Sequence, residues 1–279
     1  MNVKTILKCD VCKKNKWKIK SKRLVVCQSC GLVRANLEFS HLKVKNLYKH
    51  KYYFGSEYHD YIADRKALEK NFEERIKFLS QKGVLLKTSK VIEIGCAYGF
   101  FMNLINNRVK SIIGYDLSKE GVGYAKNTFK VDARCEDFLH YDDGKVDLVC
   151  MWDVIEHLTS PDTYIKKISK IINKGGYLVL TTGDIGSILA KLQGESWRLI
   201  HPPTHLFYFD KVAIKKLLKN NGFEILEINY NQVYRNLGSV LKQLGMEKLN
   251  KIFKYFGGKE LFFGVNTYDI MEVIAVYNG

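Results

Sequence analysis

The chain lacks any apolar run long enough to cross a bilayer, because charges break its hydrophobic stretches well short of the roughly 18 to 20 residues that a span requires. Its amino terminus, with Lys4, Lys8 and Cys9, lacks a signal-peptide core, so the expected compartment is the cytoplasm. Acidic residues are scarce at the start: residues 1–50 hold 13 Lys/Arg against Asp10 and Glu38, a net of +11 within a whole-chain charge of +16. Proline is scarce throughout, with three in 279 residues, and two of these, Pro202 and Pro203, are adjacent. No disorder signature is present, and a content of 46% hydrophobic residues allows one medium core with a small appendage.

Of the seven cysteines, four fall in two pairs, Cys9-x2-Cys12 and Cys27-x2-Cys30, separated by 14 residues. Each two-residue gap lets one tight turn present two thiolates to one metal, and two such knuckles complete a tetrahedral Zn(II) shell. Gly31, directly after Cys30, permits a left-handed turn. A zinc ribbon is therefore expected over residues 1–40, with Trp17, Ile19, Leu24, Val25 and Val26 as its only buriable side chains. A shell of four thiolates has no open position, so the metal is a scaffold. Part of the lysine excess balances the thiolates; it permits nucleic-acid binding without establishing it.

Residues 41–85 read as an aromatic-rich linker and a covering helix. Tyr48, Tyr52, Tyr53, Phe54, Tyr58 and Tyr61 form the cluster, and Leu68, Phe72, Ile76 and Leu79 make one apolar stripe of a helix expected from about Glu57 to Gln81. The tyrosines either pack against the main sheet or line a substrate mouth.

From Lys90 strand and helix signals alternate: Val91–Ile94, a helix through Phe100 to Ile105, Ile112–Tyr115, a helix to about Asn127, Val131–Ala133, Val146–Met151, a helix to Ile172, and Tyr177–Thr182. This is the pattern of a doubly wound parallel α/β sheet, in which ligands bind beyond the carboxyl ends of the strands. The first turn, Gly95-Cys-Ala-Tyr-Gly99, does not meet the dinucleotide fingerprint, which excludes NAD. Asp116, 21 positions after Gly95, ends the second strand where a carboxylate can accept from both ribose hydroxyls, so an adenosine ligand is expected. Glu93, inside the first strand, needs a polar partner to be tolerated in a core.

These residues, with Val146-Asp-Leu-Val-Cys-Met-Trp-Asp-Val-Ile-Glu-His-Leu158 and Asn173-Lys-Gly-Gly-Tyr-Leu-Val-Leu180, resemble the class I S-adenosylmethionine-dependent methyltransferases over Lys90 to about Gly183. The resemblance implies a Rossmann-like seven-stranded sheet over residues 86–279, closed by an antiparallel pair from 222–230 and 269–277. It implies that Gly95, Ala97 and Gly99 approach the cofactor's amino-acid part and ribose, that Asp116 holds the ribose and that Asp137 borders adenine. Glu93, Cys96, Leu117 and Trp152 complete the expected cofactor set. Asp153, Glu156 and His157 match the acidic-acidic-His cluster of ubiquinone-pathway O-methyltransferases, where a divalent ion sits near the acceptor. The ribbon, linker and domain together resemble methyltransferases of sugar and glycan pathways.

Transfer to a hydroxyl needs a base, and two histidines are candidates: His157, and His205 in the Pro202-Pro203 loop after the fifth strand. A structural histidine capping that loop is the competing reading. Residues 232–264 read as a helical insertion with a stripe of Leu237, Val240, Leu241, Leu244, Leu249, Ile252, Phe253 and Phe256. That stripe is expected to cover the site, join two copies, or lie on a membrane surface. Three functions remain open: O-methylation of a small-molecule or glycan acceptor, RNA methylation with the basic ribbon as a clamp, and cofactor binding without catalysis.

Overall fold

The computed structural model describes residues 8–37, 61–62, 64–238, 241 and 261–279. Tyr48, Tyr52, Tyr53, Phe54 and Tyr58 lie outside them, as does most of the 237–256 stripe. Three short strands come first, β1 (Trp17–Ile19), β2 (Leu24–Cys27) and β3 (Val33–Ala35), followed by helix α1 (Arg65–Gln81). The expected start of α1 near Glu57 is corrected to Arg65, since Tyr61 and Ile62 form a turn.

The main sheet runs in the order β10-β13-β8-β7-β4-β5-β6. Its parallel strands are β4 (Lys90–Ile94), β5 (Ser111–Tyr115), β6 (Asp132–Arg134), β7 (Val146–Trp152) and β8 (Ile172–Gly183). The antiparallel pair β10 (Phe223–Asn229) and β13 (Ile270–Tyr277) closes the sheet against β8, as the resemblance implied. Helices α2 (Phe100–Ile105), α3 (Lys119–Tyr124), α4 (Pro161–Ile171), α5 (Ile188–Gln193) and α6 (Lys211–Lys219) connect the strands. The period-2 alternation of β4 sends Ile92 and Ile94 into a core with Ile165, Ile168, Ile214 and Leu217 of α4 and α6. Val91 goes to the opposite face, with Phe72, Ile76 and Leu79 of α1 and Phe101 of α2. The same alternation places Glu93 on the α1 side.

The cysteine segment is no detached appendage. Its sheet continues, β1-β2-β3-β9, into β9 (Phe207–Tyr208), two residues beyond His205. The helical insertion is corrected at its ends: Val233–Asn236 (β11) and Phe262–Val265 (β12) are strands of one antiparallel ribbon. Among the described residues no helix is long and apolar enough to cross a membrane.

Candidate active site

After Ile94 the chain turns sharply into α2. Gly95, Ala97 and Gly99 all adopt positive φ, at 78°, 46° and 74°. The amides of Gly95 and Cys96 donate to the Tyr115 carbonyl at 2.7 and 3.1 Å, tying the turn to β5. A Cβ on Gly95 would stand 2.4 Å from Val154 Cγ2, and one on Gly99 2.7 Å from Ala125 Cβ, so both conformation and space call for glycine. The Ala97 amide donates to Asp116 Oδ2 at 2.9 Å and the Ser118 amide to Oδ1 at 2.7 Å. Asp116 is thus oriented at the carboxyl end of β5, next to the turn.

A cavity of about 290 Å³ lies at the carboxyl ends of β4 and β7. Glu93, Gly95, Cys96 and Trp152 form one wall, Glu156, His157 and His205 another, and Phe72 and Arg75 of α1 face them. Glu93 is 2% exposed and its Oε2 has no hydrogen-bond partner. Burial, reinforced by the charge of Asp116, pushes its carboxyl well above the usual range. Trp152 Nε1 is also buried without a partner. Two orphaned polar atoms beside a turn that excludes side chains fit a ligand bearing both an amino-acid end and a sugar, as S-adenosylmethionine does.

The histidines are ordered from behind. His157 Nδ1 lies 2.9 Å from the Thr204 carbonyl and His205 Nδ1 2.9 Å from the Leu199 carbonyl. A carbonyl only accepts, so each Nδ1 carries the proton and each Nε2 is left as the basic nitrogen. The two ring centroids are 4.5 Å apart, and the His201 ring lies tilted with its centroid 3.8 Å from that of His205. Burial first, then the His157 and His201 rings, hold the His205 pKa far below the ordinary histidine value. His205 is therefore a neutral imidazole. Glu156 Oε2 accepts from the Thr182 hydroxyl at 3.0 Å.

The ligand set that geometry gathers for a cation is Glu156, His157 and His205, whose donor atoms all lie within 4.8 Å of one another. Asp153, which the resemblance had put in that set, is not grouped with them: it sits at φ 54° and accepts from the Thr181 hydroxyl at 2.9 Å. Ala97, Gly99, Asp116, Leu117 and Asp137 are not walls of the cavity. Asp137 Oδ1 accepts from the Leu139 amide and the Tyr164 hydroxyl, capping the turn Phe138–His140. The Leu117 carbonyl accepts from the Cys135 thiol at 3.9 Å.

Among the cavity residues that sequence reasoning missed are Arg75, Arg198 and Tyr234. Arg75 pairs with buried Glu272 at 3.4 Å and lies 5.0 Å over the Trp152 ring. Its signal was available, since it stands seven residues from Leu68 and three from Phe72, on the inward stripe. Arg198 donates to Asp269 at 2.8 Å, and Tyr234 of β11 is held by both ends of the Asn71 amide, at 3.1 and 2.7 Å. Neither had a local signal.

In the cysteine segment all four sulfurs lie within 4.8 Å of one another, with Cys9–Cys30 and Cys12–Cys27 each at 3.5 Å. That is far beyond a disulfide bond and close to the roughly 3.8 Å edge of a tetrahedron with Zn–S of about 2.3 Å. Burial pushes Cys30 up to about 11, so metal binding here displaces protons.

Residues 62–228 match the family described as Methyltransferase domain. Ubiquinone biosynthesis O-methyltransferases of Coxiella burnetii and Pelagibacter ubique are 26% identical over 115 residues and 29% over 103, matching 39% and 35% of this chain and 49% and 43% of theirs. The chain thus spans about half the length of these relatives. The magnesium protoporphyrin IX methyltransferase of Synechocystis PCC 6803, solved with bound SAH, superposes with a TM-score of 0.53 at 15% identity, over 86% of this chain and 89% of that one. An S-adenosylmethionine-dependent methyltransferase of Clostridium acetobutylicum gives 0.52 at 14%, over 77% and 93%. With the glycine turn, the acidic end of β5 and the seven-stranded order all in place, this chain belongs to the methyltransferase-domain family and carries the class I S-adenosylmethionine-dependent fold.

Proposed function

We propose that this protein transfers a methyl group from S-adenosylmethionine to a hydroxyl of a small-molecule acceptor, of sugar or glycan type, with His205 as the base. One observation carries the reading: the wall made by the glycine turn and the neutral, back-ordered His205 border the same cavity. The sulfonium of the bound cofactor supplies an already activated methyl group. Asp116 and the Gly95 turn would hold the ribose and amino-acid part, and Arg75, a cavity residue, would pair with the cofactor's carboxylate. Glu93 Oε2 and Trp152 Nε1, both buried without a partner, offer their polar atoms to the cofactor from the wall. His205 Nε2 takes the hydroxyl proton as the acceptor oxygen gains the methyl; burial and the His157 and His201 rings oppose that protonation, and the Leu199 carbonyl, accepting from Nδ1–H, offsets part of the opposition. The O-methyltransferase relatives support an oxygen acceptor. The four cysteines hold one Zn(II) as scaffold.

The experiment is transfer of labelled methyl to a panel of phenols, free sugars, nucleotide sugars and total RNA. Label in a small hydroxylated acceptor, lost in His205→Ala with cofactor affinity retained, supports the reading. Label in RNA supports the clamp alternative, and cofactor binding with no acceptor in any arm supports a scaffold. The Glu156–His157–His205 cluster favours a second route, in which a divalent ion polarises the acceptor hydroxyl. Activity that persists at one zinc per chain and no other metal selects the histidine base.

A further inference from the structure

We propose that the cysteine module positions His205, with Arg23 as the residue that fixes the backbone behind its ring. The inference rests on His205 as the base.

Three contacts converge on the segment from Leu199 to Leu206. The Arg23 guanidinium donates to the Ile200 carbonyl at 3.0 Å and also to the Glu195 carbonyl. Ile200 follows Leu199, whose carbonyl orients the His205 ring. On the other side the Ala35 amide of β3 donates to the Leu206 carbonyl at 2.9 Å, and the Leu206 amide donates to the Glu156 carbonyl at 2.8 Å. Leu206 follows His205, so the backbone carrying the imidazole is clamped between the module and the Glu156–His157 turn. Leu24, Val33 and Ala35 of the module share a small core with Trp197, Ile200 and Tyr208.

The module is itself anchored away from the cavity. The Ser160 hydroxyl donates to Asp10 at 3.0 Å, Lys13 pairs with Asp162, and Asn220 donates to the Val11 carbonyl at 2.7 Å. These contacts join the knuckles to α4 and α6. The module therefore bridges the helices under the sheet and the loop above the acceptor wall, a span that the loop's own hydrogen bonds do not cover. A metal shell that holds β2 and β3 rigid would hold the imidazole through two carbonyls, whereas the Gly95 turn is tied instead to the Tyr115 carbonyl of β5 and to Asp116.

Arg23 is 41% exposed, so replacing it leaves no large cavity. The test uses full-length, zinc-loaded protein labelled with 15N-histidine, so no acceptor is needed. In Arg23→Met the His205 Nδ1 proton is expected to exchange with water about tenfold faster or more. S-adenosylmethionine affinity and zinc per chain stay unchanged, and Arg23→Lys, which can still reach one carbonyl, falls between. Ala35→Pro, which deletes the amide facing Leu206, is expected to act in the same direction. Unchanged His205 exchange in both Arg23→Met and Ala35→Pro overturns the proposal. Loss of cofactor affinity in step with His205 order also overturns it, because the module would then support the whole fold. Neither result bears on methyl transfer itself, which the labelled-acceptor assay decides.

Discussion

Ala97 and Asp116, 19 positions apart, are joined by one hydrogen bond of 2.9 Å from the Ala97 amide to Oδ2. The carboxylate that is expected to hold the ribose is thus also part of the turn that approaches it, and Oδ1 is oriented by Ser118. Asp116→Ala should weaken S-adenosylmethionine binding by about 2 to 4 kcal/mol through loss of charge-assisted ribose bonds. Calorimetry on protein shown to be folded checks it, and an unchanged affinity would refute the ribose assignment.

Gly95→Ala should fail for two separable reasons. Its φ of 78° disfavours any Cβ, and that Cβ would press on Val154 Cγ2 at 2.4 Å. The expected cost is about 2 to 4 kcal/mol, from strain plus overpacking. In the double variant Gly95→Ala, Val154→Ala the clash disappears and only the strain remains, about 1 kcal/mol. Denaturant melts of the four proteins form the cycle; additivity would mean that the close contact does not matter.

The parallel strands and the cysteine spacing were legible because each is written in contiguous residues. Val91–Ile94 and Val146–Met151 alternate or run apolar as buried strands do, and Cys-x2-Cys is a local geometric demand. What was not legible depends on chain segments meeting across long separations. Nothing in Val33–Ala35 announces that it will pair with Phe207–Tyr208, and Val233–Asn236 becomes a strand only when Phe262–Val265 returns beside it. The leucine stripe that follows Val233–Asn236 drew the reading toward a helix. Arg75 differs: its position on the apolar stripe is local, but the buried partner that makes a charge tolerable there, Glu272, lies 197 positions away.

Zinc should be present at about one per chain in metal-replete protein, given four sulfurs gathered within 4.8 Å of one another. Elemental analysis showing none would sink the assignment. Cys27→Ser leaves three thiolates and should lower thermal stability and yield, since the binding free energy of a structural metal is folding free energy.

Acid stability should carry the signature of His205. Its folded pKa is depressed by burial and by His157 and His201, so below the ordinary histidine value of about 6.5 the unfolded chain takes up a proton that the folded chain refuses. Stability is then greatest above that pH and falls as pH drops through it, by up to about 1.4 kcal/mol per pH unit for this one proton. His205→Gln should flatten the fall between about pH 6.5 and 5 relative to the parent, as read by urea midpoints at fixed ionic strength. An identical pH slope in both proteins would show that the histidine titrates normally.

Arg75 and Glu272 give a prediction in which stability and binding separate. Glu272 is 2% exposed, and burial raises its pKa while Arg75 opposes that rise. Arg75→Met leaves the carboxyl buried beside an apolar chain and should destabilise the protein by about 3 kcal/mol or more. Glu272→Gln in the same protein removes the stranded charge, so most of that stability should return. Cofactor binding should not return with it, because the Arg75 guanidinium over the Trp152 ring, proposed above as the partner of the cofactor's carboxylate, is still missing. Thermal melts and calorimetry on the two single variants and the double variant decide the matter. Recovery of both stability and affinity in the double variant would assign Arg75 to the fold alone and leave the cofactor's carboxylate to be held by another group.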